Sequence, residues 1–126
     1  MIKRIMTDKA PKALGTYSQG SRVANLVFTS GQVGINPITG ALVEDNFEEE
    51  VLQVLNNVIA VLEQGGSDIN HIIKLTVFIK DITNFKIVND VFISFFNKDF
   101  PARSLVEVSN LPAGANIEIE AIGKIV

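Results

Sequence analysis

RSLVEVSN (103–110), LPAGAN (111–116) and IEIEAIGKIV (117–126) are the stretch on which the fold class turns. In the first and third pieces bulky aliphatics alternate with polar or charged residues. That period of two belongs to strands buried on one face, not to helices. Pro112 and Gly114 interrupt any regular element between them. The two runs read as an antiparallel pair or as neighbouring strands that close a sheet. Alternation also sorts them by face. Ser104, Val106 and Val108 fall on one side of the first run, Ile117, Ile119 and Ala121 on one side of the second, and these sets are expected under helices. Arg103, Leu105 and Glu107 are then expected to share the other face with Glu118, Glu120 and Ile122. One guanidinium, three carboxylates and two aliphatics suit neither open water nor a dry core, which points to burial against another subunit.

Upstream, IIKLTVFIK (72–80) is short and β-branched and reads as a strand buried on at least one face. Two helices flank it. In the first, Phe47, Val51, Val54, Leu55, Val58, Ile59 and Leu62 recur at spacings of three and four, so a helix is predicted over 47–64. Asp45 or Asn46 offers its cap, Glu48, Glu49 and Glu50 read as a solvated first turn favoured by the dipole, and Gly65-Gly66 ends it. In the second, Phe85, Val88, Phe92, Phe95 and Phe96 form a core-packing stripe that Asp81 or Thr83 starts and Asn97 with Pro101 limits. Residues 22–32 read as a hairpin turning at Ala24-Asn25, with Asn25 taking left-handed geometry, and NPITG (36–40) as a further turn. Ile2 to Met6 offers an edge strand. The order β-β-β-α-β-α-β-β makes one α+β domain over residues 1–126, a mixed sheet with two helices on one face.

The 126 residues suit a single domain, so a cleft between two lobes of one chain is not expected. With no Cys and one His, thiol nucleophiles, disulfides and thiolate or multi-histidine metal sites are excluded, and no metal is expected. Eleven basic against 14 acidic residues give a net charge of −3, and no basic run exceeds Lys3-Arg4, so nucleic acid is a poor partner. The N-terminus lacks the apolar run of an export signal and no stretch approaches the ~20 apolar residues of a membrane span, so a cytoplasmic protein is expected. There is no dinucleotide fingerprint, no phosphate loop and no G-x-S-x-G elbow.

Arg103, directly after Pro101-Ala102, stands at a strand entrance where its planar five-donor fork could grip a carboxylate. The competing reading is an internal ion pair with Glu107, Glu118 or Glu120. Glu118 and Glu120 share a face and invite acid/base chemistry, although IEIE is also what any half-exposed strand looks like. His71 reads as a surface-loop residue in preference to a catalytic base. Tyr17, the sole tyrosine, stands in a loop bounded by Gly15 and Gly20, placed either to reach a ligand or to cover a core edge.

APKALGTYSQG (10–20), TSGQVGINPITG (29–40), TVFIKD (76–81), Val88-Asn89, FPARSLVEV (100–108) and LPAGANIEIEAI (111–122) resemble, in order and from end to end, the reactive intermediate deaminase family of RidA or YjgF type. The resemblance implies a fold like that of the bacterial chorismate mutase type and a homotrimer whose sheets form a central barrel, with three clefts between neighbouring subunits. It also implies hydrolysis of reactive 2-imino acids (2-iminobutanoate, 2-iminopropanoate), released by pyridoxal-phosphate enzymes, to 2-oxo acids and ammonia without a cofactor. On that resemblance Arg103 binds the substrate carboxylate and Glu118 orients or activates water. Tyr17, Ser30, Gly31, Asn89 and Leu105 line the cleft and bind substrate, Leu105 standing where a cysteine is common, and Thr16 stands where proline often precedes the tyrosine. Glu120 is then structural. The alternatives are a non-catalytic trimer that binds small carboxylates and regulates a pathway, and, less favoured, a ribonuclease or translation inhibitor.

Overall fold

Asn46 begins the first helix. Its backbone is extended, and its side-chain oxygen accepts the Glu49 amide at 2.8 Å, satisfying one of the four amides a helix start leaves free. Helix α1 then runs Phe47–Gln64, the span the spacing predicts, with Asn46 rather than Asp45 as the cap. Gly65 closes it, and Gly66, at φ 97°, takes a conformation that side chains disfavour. Helix α2, Phe85–Phe96, follows a 3-10 turn whose start is capped by the Asp81 carboxylate on the Thr83 amide. Asn97 at φ 64° ends it.

The computed structural model describes all 126 residues. Its strands are β1 Lys3–Ile5, β2 Gly20–Val23, β3 Leu26–Thr29, β4 Gln32–Val33, β5 Ile72–Ile79, β6 Ala102–Glu107 and β7 Ile117–Lys124. They form one mixed sheet ordered β1-β2-β3-β7-β5-β6, with β4 also paired to β7. All neighbours are antiparallel except β5 and β6. Compared with the expected order, the short β4 is an addition. The β2–β3 hairpin turns where predicted, but Ala24 (φ 50°), not Asn25, adopts positive φ.

Helices α1 and α2 cover one face. Val51, Val54, Leu55, Val58 and Leu62 of α1 and Val88, Val91, Phe92 and Phe96 of α2 are buried against Val27, Leu75, Val77, Ile79, Ile117, Ile119 and Ala121 of the sheet. The aromatic stripe is core for Phe92 and Phe96, while Phe85 at its start is half exposed.

Three expectations are corrected. First, β6 and β7 do not pair: β5 lies between them, parallel to β6 and antiparallel to β7. The apolar β5 gains two partners by taking a central position, and the β5-α2-β6 crossover makes β6 parallel. Second, the faces of β6 are exchanged. Arg103, Leu105 and Glu107 lie in register with Leu75, Val77 and Ile79 on the helix-covered face, whereas Val106 is 44% exposed on the other. RSLVEV carries an aliphatic at both phases, so alternation could not choose; the larger Leu105 packs against the core and decides it. Third, Glu50 is not solvated. It is 1% exposed, and its two carboxylate oxygens accept the backbone amide and side-chain amide of Asn116, both at 2.8 Å. Position 50 falls on the buried stripe of α1, between Phe47 and Val54.

Candidate functional site

Arg103 is the second residue of β6 and is exposed. The ion pairs of the chain are His71–Asp68 and Lys86–Asp90, so Arg103 has no carboxylate partner in its own chain. The internal-pair reading fails for identifiable reasons. Glu107 is used by the turn before α2, where it accepts the Ile82 amide at 2.9 Å. Glu118 and Glu120 stand on the opposite face of the sheet. Instead, Arg103 Nη1 donates to Asn89 Oδ1 at 2.8 Å, and the guanidinium carbon lies 5.3 Å from the centre of the Phe92 ring. One α2 residue thus aims the fork and another stacks beneath it. Four of its five donors have no partner within the chain. Leu105, two residues on, is half-buried with its side chain packed against the core.

Glu118 projects from β7 on the face that no helix covers, opposite Phe78 of β5 and Val33 of β4. Burial raises its carboxyl above the usual glutamate range, and the Glu120 charge two residues away raises it further. Gly31 lies directly against it: a Cβ there would sit 2.7 Å from the Glu118 carboxyl carbon. Ser30, beside Gly31, is tied to the loop that carries Tyr17. Its amide donates to the Gln19 carbonyl and its hydroxyl to the Ser18 carbonyl. Tyr17 itself is 54% exposed. Gln19, which sequence reasoning passed over, holds this loop in place: its buried amide bonds the Thr7 amide and the carbonyls of Thr7 and Pro11. Nothing in the local sequence marks that role, because it depends on contacts 8 to 12 residues away.

The structure therefore sorts the predicted residues into two groups. Arg103 and Asn89 belong to the helix-covered side at the β6 edge. Glu118, Gly31, Ser30 and the Tyr17 loop belong to the opposite face. His71 stands in neither group: its Nδ1 lies 2.6 Å from Asp68, and that bond holds the Asp68 carboxyl below its ordinary range. No three His, Cys, Asp or Glu side chains converge as metal ligands.

A small α+β domain that carries a guanidinium without an anionic partner on one side of its sheet and a partly buried carboxylate on the other is the class these features define. The sequence model of the Endoribonuclease L-PSP family matches residues 7–125. The chain belongs to that family, the RidA/YjgF group that its motifs resemble. It is 46% identical to the 2-iminobutanoate/2-iminopropanoate deaminase of Salmonella typhimurium over 97% of each chain. The crystal structure of the Escherichia coli YjgF gene product matches with a TM-score of 0.91 at 43% identity, covering 97% of this chain and 98% of that one. That of Escherichia coli TdcF with bound serine matches with a TM-score of 0.94 at 38% identity, covering 98% and 99%.

Proposed function

We propose that this chain is a 2-imino acid deaminase, hydrolysing 2-iminobutanoate and 2-iminopropanoate to 2-oxo acids and ammonia in clefts shared between the subunits of a homotrimer. The observation that carries the reading is the placement of Arg103 and Glu118 on opposite faces of one sheet. Two such groups meet around one small substrate when they come from different copies. The name and identity of the Salmonella relative support the chemistry.

Arg103, oriented by Asn89 and Phe92, receives the substrate carboxylate through paired N–H donors. The imine carbon next to that carboxylate is already electrophilic. A water adds to it, and the Glu118 carboxylate takes the water's proton, a task to which its raised basicity suits it. Glu118 returns that proton to nitrogen, giving a carbinolamine, and then carries the hydroxyl proton to nitrogen as the C–N bond breaks and the C=O bond forms. The electron pair leaves with nitrogen, and 2-oxo acid and ammonia remain. Much of the acceleration comes from holding water, carbon and carboxylate in register. RNA cleavage, which the family description raises, finds little support in a chain of net charge −3 without a basic stripe.

The test is complementation. Arg103→Ala and Glu118→Gln should each lower the rate of 2-oxobutanoate release from dehydratase-generated imine by about a hundredfold or more. Co-refolding the two variants should restore part of the rate, because mixed assemblies contain some intact clefts. Full activity in both variants would sink the mechanism, and absence of recovery would sink the shared cleft.

A further inference from the structure

We propose that Glu50 and Asn57, two polar residues inside the buried stripe of α1, are positioning residues for Glu118: between them they fix β7, which carries Glu118, and β4, which pairs with it. The inference rests on the deaminase reading and adds to it two residues that do not touch substrate. Both are fully buried beside Val51, Val54 and Val58. A polar group in such a place is costly unless it is bonded, and an aliphatic would suit the stripe. Neither ion pair of the chain includes Glu50, so no cation offsets its burial. What its oxygens do is grip Asn116: Oε2 accepts the backbone amide and Oε1 the side-chain amide, both at 2.8 Å. The Asn116 carbonyl in turn accepts the Lys80 amide at 3.1 Å. Asn116 immediately precedes β7, and Glu118 is the second residue of that strand.

Asn57 stands two turns further along α1 on the same face. Its Nδ2 donates to the carbonyls of Val33 and Ile35 at 3.0 and 2.9 Å. Gln53 Nε2 donates to its Oδ1 at 2.9 Å, which fixes the end of the amide that faces β4. Val33 is the β4 residue in register with Glu118, and Gly31, against which the Glu118 carboxyl lies, stands two positions before it. Between the two gripped carbonyls, Gly34 packs so closely on Glu50 that a Cβ would lie 2.9 Å from its Cγ. One face of α1 therefore holds both the strand that carries the base and the strand that backs it. The sheet ladder cannot do this alone, because β4 is only two residues long and pairs with β7 only. Displacement of a reacting group by about 1 Å costs roughly a hundredfold in rate. Substrate binding falls to Arg103 on β6, away from this clamp, so the hold on Glu118 acts on turnover and not on affinity.

Glu50→Met removes the acceptor while keeping an unbranched apolar chain on the stripe, Asn57→Leu removes the grip on β4, and Glu50→Gln keeps one acceptor for the Asn116 amide. In imine hydrolysis the first two should lower kcat about tenfold or more with KM within about twofold, and Glu50→Gln should stay within about threefold of wild type. Leu62→Ala, which opens the core at the far end of α1, should lose stability in urea and keep its kcat. Wild-type kcat in folded Glu50→Met or Asn57→Leu overturns the positioning role. So does a Leu62→Ala kcat that falls in step with stability, because the clamp would then serve the fold alone. Titration of the carbon-13-labelled Glu118 carboxyl by NMR reads the clamp without turnover. A loosened clamp admits water, so the midpoint should fall towards the ordinary glutamate range in Glu50→Met and hold in Glu50→Gln. That fall upholds the clamp even if the wild type hydrolyses no imine, an outcome that sinks the deaminase reading alone; an unmoved midpoint overturns the clamp and leaves that reading standing. Amide exchange needs no variant. In the wild type the Asn116 amide should exchange about a hundredfold or more slower than a free amide, and rapid exchange there overturns the proposal even if no variant folds.

Discussion

Replacing Gly31 by alanine probes the Glu118 side of the proposed cleft without altering a reacting group. A Cβ at position 31 would lie 2.7 Å from both the carboxyl carbon and Oε2 of Glu118 and 3.0 Å from its Cγ. Ordinary contact begins near 3.4 Å, so the carboxylate must retreat by about 0.7 Å, the difference between the two distances. That retreat is cheap for the fold. Gly31 does not occupy the left-handed region, so alanine strains no backbone, and the atoms that yield are the free end of a flexible side chain. It is costly for chemistry, because displacement of a catalytic group by about 1 Å costs roughly a hundredfold. Gly31→Ala should therefore lower kcat/KM about 10- to 100-fold, some 1.4–2.7 kcal/mol of barrier, with the denaturation midpoint nearly unchanged. Gly34→Ala is the contrasting case. Its Cβ would meet the Glu50 backbone oxygen at 3.1 Å and Cγ of the buried Glu50 at 2.9 Å. Neither moves freely, so overpacking should cost about 1–3 kcal/mol of stability. Imine hydrolysis and urea unfolding on both variants decide the matter. Wild-type kcat/KM in Gly31→Ala, or equal destabilisation of the two variants, refutes the reasoning.

Two further outcomes follow from the charges. Because Glu118 titrates above the usual glutamate range, the acid limb of kcat/KM should lie at higher pH than an ordinary glutamate would give, and Glu120→Gln, which removes one cause, should move that limb to lower pH. A limb that stays put or moves up in a pH–rate profile counts against Glu118 as the base. The stability sign runs the same way: with its folded pKa raised, Glu118 contributes stability fully present below its unfolded pKa and lost as pH rises through the folded value. Glu50→Ala should cost roughly 2–4 kcal/mol in urea titration by leaving both Asn116 donors without partners. The exposed Glu48→Ala should cost less than about 1 kcal/mol; equal losses would return Glu50 to the solvated turn the sequence implies.

How far the fold could be read varied with the range of the interactions involved. Helix α1 came out residue for residue because its cap, its stripe and its terminating glycines all act within a turn of the chain. Glu50 was misread among three adjacent glutamates, since its partner Asn116 lies 66 residues away. The β6 faces were misread because RSLVEV carries an aliphatic at both phases, and only packing against the core shows that the larger Leu105 turns inward while Val106 stays exposed. For the candidate site, Arg103 and Glu118 stood out by their chemistry and by the motifs around them. Neither the Asn89 bond nor the Phe92 stack under Arg103 leaves a local mark, for both depend on how α2 lies over β6.

Periodicity, caps and residue chemistry were enough to establish an α+β domain and its two helices and to single out Arg103 and Glu118 as candidates, because each of these is written within a few neighbouring positions. Strand order came from three-dimensional packing, and so did the phase of β6 that puts Arg103 and Glu118 on opposite faces. Inserting β5 between β6 and β7 is a choice among long-range pairings of similar local character, settled by which one buries the most apolar surface. The inward turn of Leu105 separates two candidate residues, Arg103 and Glu118, that looked like neighbours on one face.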